Sequence, residues 1–140
     1  MDRGILVIAQ NLPNVNYVQQ AELLAMSLKA TNPDTKISLV TNDEVEFENL
    51  FDKIISIPWN DDAESSDWKI QNRWKLYHAS PYNKTIVMDT DMIVLQDISE
   101  WWNFVEKYKL FFTNKVHTSR GDTANTSYCR KVFEVNKFPN

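Results

Sequence analysis

Glycine is almost absent from this chain, which has only Gly4 and Gly121 among its 140 residues. Loops that wrap phosphate with backbone N–H groups depend on several glycines, so a Gly-rich phosphate loop is excluded. Any bound phosphate would have to be held by side chains or by a metal ion. Long apolar runs are absent as well. The stretch at residues 5–9 is too short for a secretory signal or a membrane span, and we expect neither.

Cysteine and excess positive charge are scarce too. The single cysteine, Cys129, excludes an internal disulfide and fits a reducing compartment, which predicts a cytoplasmic protein. Fifteen basic residues face 19 acidic ones, and the two signs are interspersed. Without a basic stripe we expect no nucleic-acid partner. The hydrophobic fraction of 43% suffices for one packed core, so we expect a single domain over residues 1–140.

Short apolar stretches alternate with segments of helical spacing. Strands are predicted at residues 4–9, 37–40, 53–57, 86–88 and 110–112. Helices are predicted at residues 17–28, 44–51, 68–79 and 99–105. This alternation is typical of an α/β fold with a parallel, doubly wound sheet, whose ligands bind beyond the carboxyl ends of the strands. Asn11, Asn42 and Asp89 follow predicted strands, which places one candidate site at that edge.

The most informative stretch is residues 84–97, where an apolar strand leads into Asp89 and Asp91. Residues 86–88 are continuously apolar, which predicts a strand buried on both faces. Side chains at i and i+2 of an extended chain point the same way, so the two carboxylates would repel each other without a cation. Their oxygens suit Mg²⁺ or Mn²⁺, which leave positions open for phosphate. The second apolar run, at residues 92–95, disfavours the alternative of two solvated acids.

Two segments before that strand have an ordinary interpretation. The acidic run at residues 60–67 is typical of a solvated loop. Residues 68–79, which include Lys69, Arg73 and Lys75, are typical of a surface helix whose basic side chains reach the solvent along apolar stems. Neither segment would point to a site by itself.

Taken together, these features resemble the GT-A-fold glycosyltransferases, in particular the family 8 group that includes glycogenin and bacterial galactosyltransferases. The resemblance rests on the apolar–Asp–x–Asp–apolar stretch at residues 86–98, on residues 9–11 with Tyr17, and on the distance of Arg73 before the aspartates. It spans roughly residues 4–114. It implies a Rossmann-like GT-A fold, a nucleotide-diphospho-sugar transferase fold with a mostly parallel central sheet and flanking helices.

The resemblance also implies roles for individual residues. Asp89 and Asp91 would hold Mn²⁺ or Mg²⁺ on the donor pyrophosphate, with Asp89 and the Thr90 backbone near the ribose. Arg73 would contact the pyrophosphate or the sugar, which suits the pairing of guanidinium with phosphate oxygens. The implied catalytic residues are Asp89, Asp91 and Arg73. The implied nucleotide-binding residues are Ala9, Gln10, Asn11, Tyr17, Arg73, Asp89, Thr90 and Asp91.

The implied activity is that of an enzyme, a metal-dependent glycosyltransferase that moves a sugar from a UDP-sugar to a sugar or other hydroxyl acceptor. Members of the family run well past position 140, and that part supplies the acceptor site and a third metal ligand, often a histidine. Here only His78, on a predicted helix, and His117, in a predicted loop, are present. Asp122 and Glu134 are the late carboxylates, and neither is assigned as a base, so retention and inversion both stay open.

Three alternatives accompany this interpretation. The chain could be a fragment or a non-catalytic nucleotide-sugar binding module, because its acceptor half is short or absent. It could form a homo-oligomer through the aromatic residues after position 100. Haloacid dehalogenase phosphatases also place Asp-x-Asp after a strand. They require Thr or Val where this chain has Ile93, and they carry the motif on the first strand, so that class is disfavoured.

Overall fold

The computed structural model describes residues 2–67 and 69–108. A four-stranded sheet lies at the centre of these residues, within the compact unit Met1–Lys107. Its strands are β1 (Arg3–Ile8), β2 (Ile37–Val40), β3 (Lys53–Ile55) and β4 (Lys84–Met88). All neighbouring strands run parallel, in the order β3-β2-β1-β4. This is the first part of the Rossmann strand order, and it confirms the predicted α/β fold with a parallel sheet.

The long helix α1 (Tyr17–Thr31) joins β1 to β2 and confirms the predicted helix. It begins where the Asn16 side chain accepts a hydrogen bond from the Gln19 amide at 2.9 Å, which satisfies one unpaired N–H of the first turn. It ends before Asn32-Pro33, as the sequence predicts. The residues that it buries are Val18, Ala21, Glu22, Leu24, Ala25 and Leu28.

The sheet packs against apolar side chains on both faces, because neighbouring residues of a strand point to opposite sides. Ile5 and Val7 belong to the larger cluster, together with the buried apolar residues of α1. The short helix α3 (Trp101–Lys107) contributes to the same cluster. Leu6 belongs to a smaller cluster, to which the short helix α2 (Leu76–Ala79) contributes. Helices therefore flank the sheet on both sides, as predicted.

Residues 44–51 do not form the predicted helix; they contain only the 3₁₀ turn Glu48–Leu50. The reason is a tertiary contact from α1. The buried carboxylate of Glu22 accepts hydrogen bonds from the amides of Glu46 and Phe47, each at 2.9 Å. Amides that donate to this carboxylate hold the segment in another conformation.

Residues 69–79 are helical, but most of the segment is a 3₁₀ helix, Lys69–Lys75, followed by α2. The prediction of a surface helix with solvated bases is wrong for Lys75, which is 1% exposed. Its ammonium group lies 2.9 Å from the Asp62 carboxylate and also donates to the Asn60 carbonyl oxygen. Burial of the charge is possible because both groups compensate for the lost water.

The strand that leads to the aspartates, β4, is less buried than predicted. In the part of the chain that the structure describes, β4 is an edge strand, and Val87 is 56% exposed. The apolar run at residues 92–95 forms no strand, and only Val94 of it is buried. Asp91 is exposed in the turn between β4 and this run.

Several predictions fall outside the described residues. These are the strand at 110–112 and the roles considered for Cys129, His117, Asp122 and Glu134. Of the aromatic residues behind the oligomer prediction, Trp102 is buried in the core, whereas Trp101, Phe104 and Tyr108 are exposed. Self-association stays a prediction. No helix among the described residues has the length and apolar character to cross a membrane.

Candidate functional site

The strand order changes direction at β1. β2 and β3 lie on one side of β1, and β4 lies on the other, paired in register through Val7 and Met88. Because β1 and β4 are parallel neighbours, the segments that follow them leave the sheet at the same edge. In open α/β sheets, ligands bind in the crevice at such a switch point.

A cavity of about 290 Å³ lies at this edge. Four segments supply its walls: the end of β1, the start of α1, the 3₁₀ helix and the end of β4. Its lining residues are Ile8, Gln10, Leu12, Tyr17, Asp67, Lys69, Ile70, Arg73 and Thr90. The structure thus brings together four of the residues predicted to bind a nucleotide, namely Gln10, Tyr17, Arg73 and Thr90.

The two cations of this cavity, Lys69 and Arg73, are held by neighbouring oxygens. The Arg73 guanidinium donates from Nη2 to Oδ1 of Asp89. Arg73, predicted to contact the pyrophosphate, is therefore paired with Asp89, predicted to bind the metal. Lys69 donates to the carbonyl oxygens of Ala63 and Glu64, at 2.6 Å and 3.1 Å. Two positive groups beside one cavity suit a phosphate-bearing ligand.

The predicted metal ligands offer carboxylate oxygens only. Asp89 lies at the end of β4, and Asp91 is exposed two residues later. Within residues 2–67 and 69–108, no group of three or more His, Cys, Asp or Glu side chains could hold a metal ion. A pair of carboxylates fits Mg²⁺ or Mn²⁺, because such ions complete their shell with water and substrate phosphates. The donor set is therefore chemically suited to the predicted ion.

A second, more polar cavity of about 480 Å³ lies beyond β1, β2 and β3. Asn11 and Asn42 line it, but their side-chain oxygens serve the backbone. Asn11 accepts from the Val18 amide at 3.0 Å, and Asn42 accepts from the Ile57 amide at 2.9 Å. Only Asn11, of these two, was predicted to contact a nucleotide. The backbone N–H of Asn11 donates to the Asp43 carboxylate at 2.7 Å, and both residues line this cavity.

A buried hydrogen-bond network joins the two cavities, and it centres on Gln10, which lines both. Gln10 donates to Asp61 at 2.7 Å and accepts from Asn72 at 2.8 Å. Asn72, which is fully buried, also donates to Asp61 at 2.6 Å. These bonds fix the orientation of the Gln10 side-chain amide, because its nitrogen donates one of them and its oxygen accepts the other.

Asp61 belongs to the acidic run that was predicted to be a solvated loop. It is only partly buried there, but Gln10 and Asn72 hold its carboxylate. Burial would raise the pKa of its carboxyl group. Hydrogen bonds from Gln10, the Ala63 amide and Asn72, with the nearby charge of Lys69, outweigh burial and lower the pKa below its ordinary value. Sequence reasoning missed Asp61 because nothing distinguishes it from the other acids of the run.

Ala9, which the resemblance placed at the nucleoside, and His78, which was expected to be structural or exposed, line neither cavity. Ala9 is buried in the larger apolar cluster at 1% exposure. His78 contacts the rings of Trp59, Trp74 and Tyr77 and does not line either cavity.

Comparisons with known proteins add little to this geometry. No family model matches the chain, and no curated protein matches its sequence. Among solved structures, the chain is similar to the crystal structure of S. aureus TarS, with 15% sequence identity and a TM-score of 0.46. The match covers 76% of this chain and 20% of TarS, so the chain spans about a fifth of that protein's length. A likeness this weak assigns no activity to the chain.

Proposed function

We propose that this chain binds the donor of a metal-dependent glycosyl transfer reaction that uses a UDP-sugar. The observation that carries the proposal is the meeting of Gln10, Tyr17, Arg73 and Thr90 at one cavity, beside Asp89, at the β1–β4 switch point. These residues come from four separate segments of the chain. The resemblance to GT-A enzymes implies a donor-binding role for these residues, and it implies the same role for Ala9, Asn11 and Asp91, which do not line this cavity.

The cavity's own residues suit the donor's diphosphate. In the proposed reaction the bond between the anomeric carbon and the diphosphate oxygen breaks, and its electron pair stays on the diphosphate. An acceptor hydroxyl forms the new bond to the anomeric carbon, and its proton ends on the released diphosphate or in the solvent. Arg73, with Lys69 beside it, stabilises the negative charge that develops on the leaving diphosphate. No residue is assigned as the base that would accept the proton of the acceptor hydroxyl.

Asp89 and Asp91 would hold the divalent ion. When bound, Mn²⁺ or Mg²⁺ supplies Lewis-acid stabilisation of the diphosphate. Asp89 would then serve the ion in place of Arg73, and the Arg73 guanidinium would be free to bind phosphate oxygens. The ion pair between these two residues supports this exchange, because each partner is close to half exposed and can be displaced at low cost.

The experiment that tests the proposal measures UDP release from a panel of UDP-sugars with Mn²⁺. Wild type is compared with Asp91→Asn and with Asp34→Asn, a control at an exposed aspartate of a turn outside the site. We expect turnover of at least one donor. That turnover should fall about a hundredfold or more in Asp91→Asn, the scale for loss of a main electrostatic stabiliser, and persist in Asp34→Asn.

Two results would count against the enzyme. Binding of UDP without turnover of any donor would favour the non-catalytic nucleotide-sugar binding module. Full activity of a folded Asp91→Asn would remove Asp91 from the proposed metal site. Circular dichroism of each variant checks that the fold is retained.

A further inference from the structure

A cluster of four aromatic rings lies on the surface of the molecule, formed by Trp59, Trp74, Tyr77 and His78. The indoles of Trp59 and Trp74 stack with centroids 5.4 Å apart and an angle of 14° between their planes. His78 meets Trp59 edge-on at 5.1 Å and Tyr77 at 5.1 Å. Trp59, Trp74 and Tyr77 are 64%, 56% and 86% exposed, so large ring areas face the solvent.

The backbone at Trp59 has an unusual conformation. Trp59 has a φ of 65°, the left-handed region that bulky residues rarely adopt. Such a conformation costs free energy and persists only where surrounding structure enforces it, which occurs most often at binding sites. Trp74 and His78 lie one helical turn apart, across the junction between the 3₁₀ helix and α2, and so present their rings on the same side.

The cluster continues into a polar cavity. Trp59 lines the larger cavity together with amide and carboxylate side chains, among them Asn11, Asp43, Asn60 and Glu64. A pyranose ring has the matching character, because its flat faces carry C–H groups and its rim carries hydroxyl groups. Aromatic faces complement the C–H groups, and planar amides and carboxylates pair with the hydroxyls.

We propose that Trp59, Trp74, Tyr77 and His78 form a binding surface for an oligosaccharide that extends into the larger cavity. Binding of the glycan is independent of donor chemistry; only its role as the acceptor rests on the proposed function. All four members of the cluster are ring side chains, and the neighbouring cavity is lined mainly by polar residues. The charged residues Asp43, Glu64 and Lys69 in the cavity favour a carbohydrate over a protein partner, because the buried core of a protein interface is depleted of charged residues.

The test is a titration followed by the indole N–H resonances of the isotope-labelled full chain. The probes are maltohexaose, cellohexaose and N-acetylchitohexaose. We expect at least one of them to shift the resonances of Trp59 and Trp74. The resonances of Trp101, an exposed indole outside the cluster, and of Trp102, a buried one, should not move. Trp59→Ala and Trp74→Ala should each weaken that binding by about tenfold or more, and Trp101→Ala should leave it unchanged.

Failure of every probe to bind at millimolar concentration would overturn the proposal, as would equal binding by wild type and the two cluster variants. A concentration-dependent dimer in sedimentation that is lost in Trp59→Ala would assign the surface to a second copy of the chain instead. Binding of UDP is measured in the same samples. UDP binding without glycan binding defeats this inference alone, whereas glycan binding without UDP binding defeats the proposed function alone.

Discussion

The guanidinium of Arg73 donates a hydrogen bond to the carboxylate of Asp89, which lies 16 residues later in the chain. Their side chains are 49% and 42% exposed, and ion pairs in such surroundings contribute roughly 0–1 kcal/mol to stability. The pair is therefore cheap to separate. In the proposed function the pair separates when the donor binds. The Asp89 carboxylate then binds the metal ion, and the Arg73 guanidinium binds phosphate.

Replacement of Arg73 by alanine should weaken UDP binding while it leaves the fold intact. Loss of a charge-assisted hydrogen bond costs about 1.5–3 kcal/mol, which corresponds to roughly a tenfold to hundredfold loss of affinity. The affinity for Mn²⁺ alone should not fall, because Asp89 loses a competitor. Isothermal titration calorimetry measures both. Arg73→Lys keeps the positive charge but loses the planar guanidinium, which can donate two hydrogen bonds to one phosphate. This variant should have an intermediate UDP affinity. A fall of the unfolding free energy by more than about 2 kcal/mol would mark Arg73 as a structural residue instead.

Binding of UDP should require a divalent ion. The chain has only two glycines and hence no Gly-rich loop to hold the diphosphate, and Asp89 and Asp91 would repel a diphosphate in the absence of a cation. We expect calorimetric titration of UDP to give strong binding with Mn²⁺ and at least tenfold weaker binding with a chelator, as an order-of-magnitude estimate. Equal affinities under the two conditions would show that the side chains alone hold the nucleotide.

The Asp61 network should make stability depend on pH in the acidic range. The pKa of Asp61 lies below its ordinary value of 3.8 in the folded protein, so its ionised form is stabilised by folding. That contribution is fully present above pH 3.8, the unfolded value, and is lost as the pH falls through the lower folded pKa. Urea unfolding of wild type and Asp61→Asn between pH 2 and 6 measures it.

The difference in unfolding free energy between these two proteins should shrink as the pH falls below the ordinary pKa. Backbone and side-chain hydrogen bonds from Ser99 lower the pKa of Asp97 as well. Asp97 is present in both proteins, so its contribution cancels in the difference. A gap that stays constant over the whole range would mean that ionisation of Asp61 contributes nothing to stability.

Replacement of Gly4 by alanine should destabilise the protein through a steric clash. A Cβ at Gly4 would overlap the ring of Tyr82, with Cζ as the nearest atom. The ring cannot easily move, because its hydroxyl shares a 2.7 Å hydrogen bond with the buried Ser38. We expect a loss of about 1–3 kcal/mol, the usual cost of overpacking, in thermal or urea unfolding.

The matched control for this clash is a double-mutant cycle. Gly4→Ala should cost much less in a Tyr82→Ala background, where the ring is absent. Equal costs in both backgrounds would trace the effect to the backbone of β1 and not to the ring.

The sequence by itself determined the sheet and the main helix. The short apolar runs at 4–9 and 37–40, the second interrupted by Ser38, have the length of strands, and Val18, Ala21 and Leu28 have helical spacing. The alternation of these patterns favoured a parallel α/β arrangement. It also singled out Arg73 and Asp89, which the fold pairs, and Gln10, Tyr17 and Thr90, which line the smaller cavity together with Arg73.

Only the tertiary structure decided the surroundings of these residues. Asp61 and Asn72 lie 51 and 62 residues from Gln10, and no local pattern connects them. Glu22 overrode the helical pattern at 44–51, because two hydrogen bonds to a buried carboxylate outweigh a weak local preference. Lys75, which was expected in the solvent, is buried instead, because Asp62 and the Asn60 carbonyl compensate its charge. Propensity is a property of neighbouring residues, whereas the burial of a polar or charged group depends on partners that only the folded chain brings near.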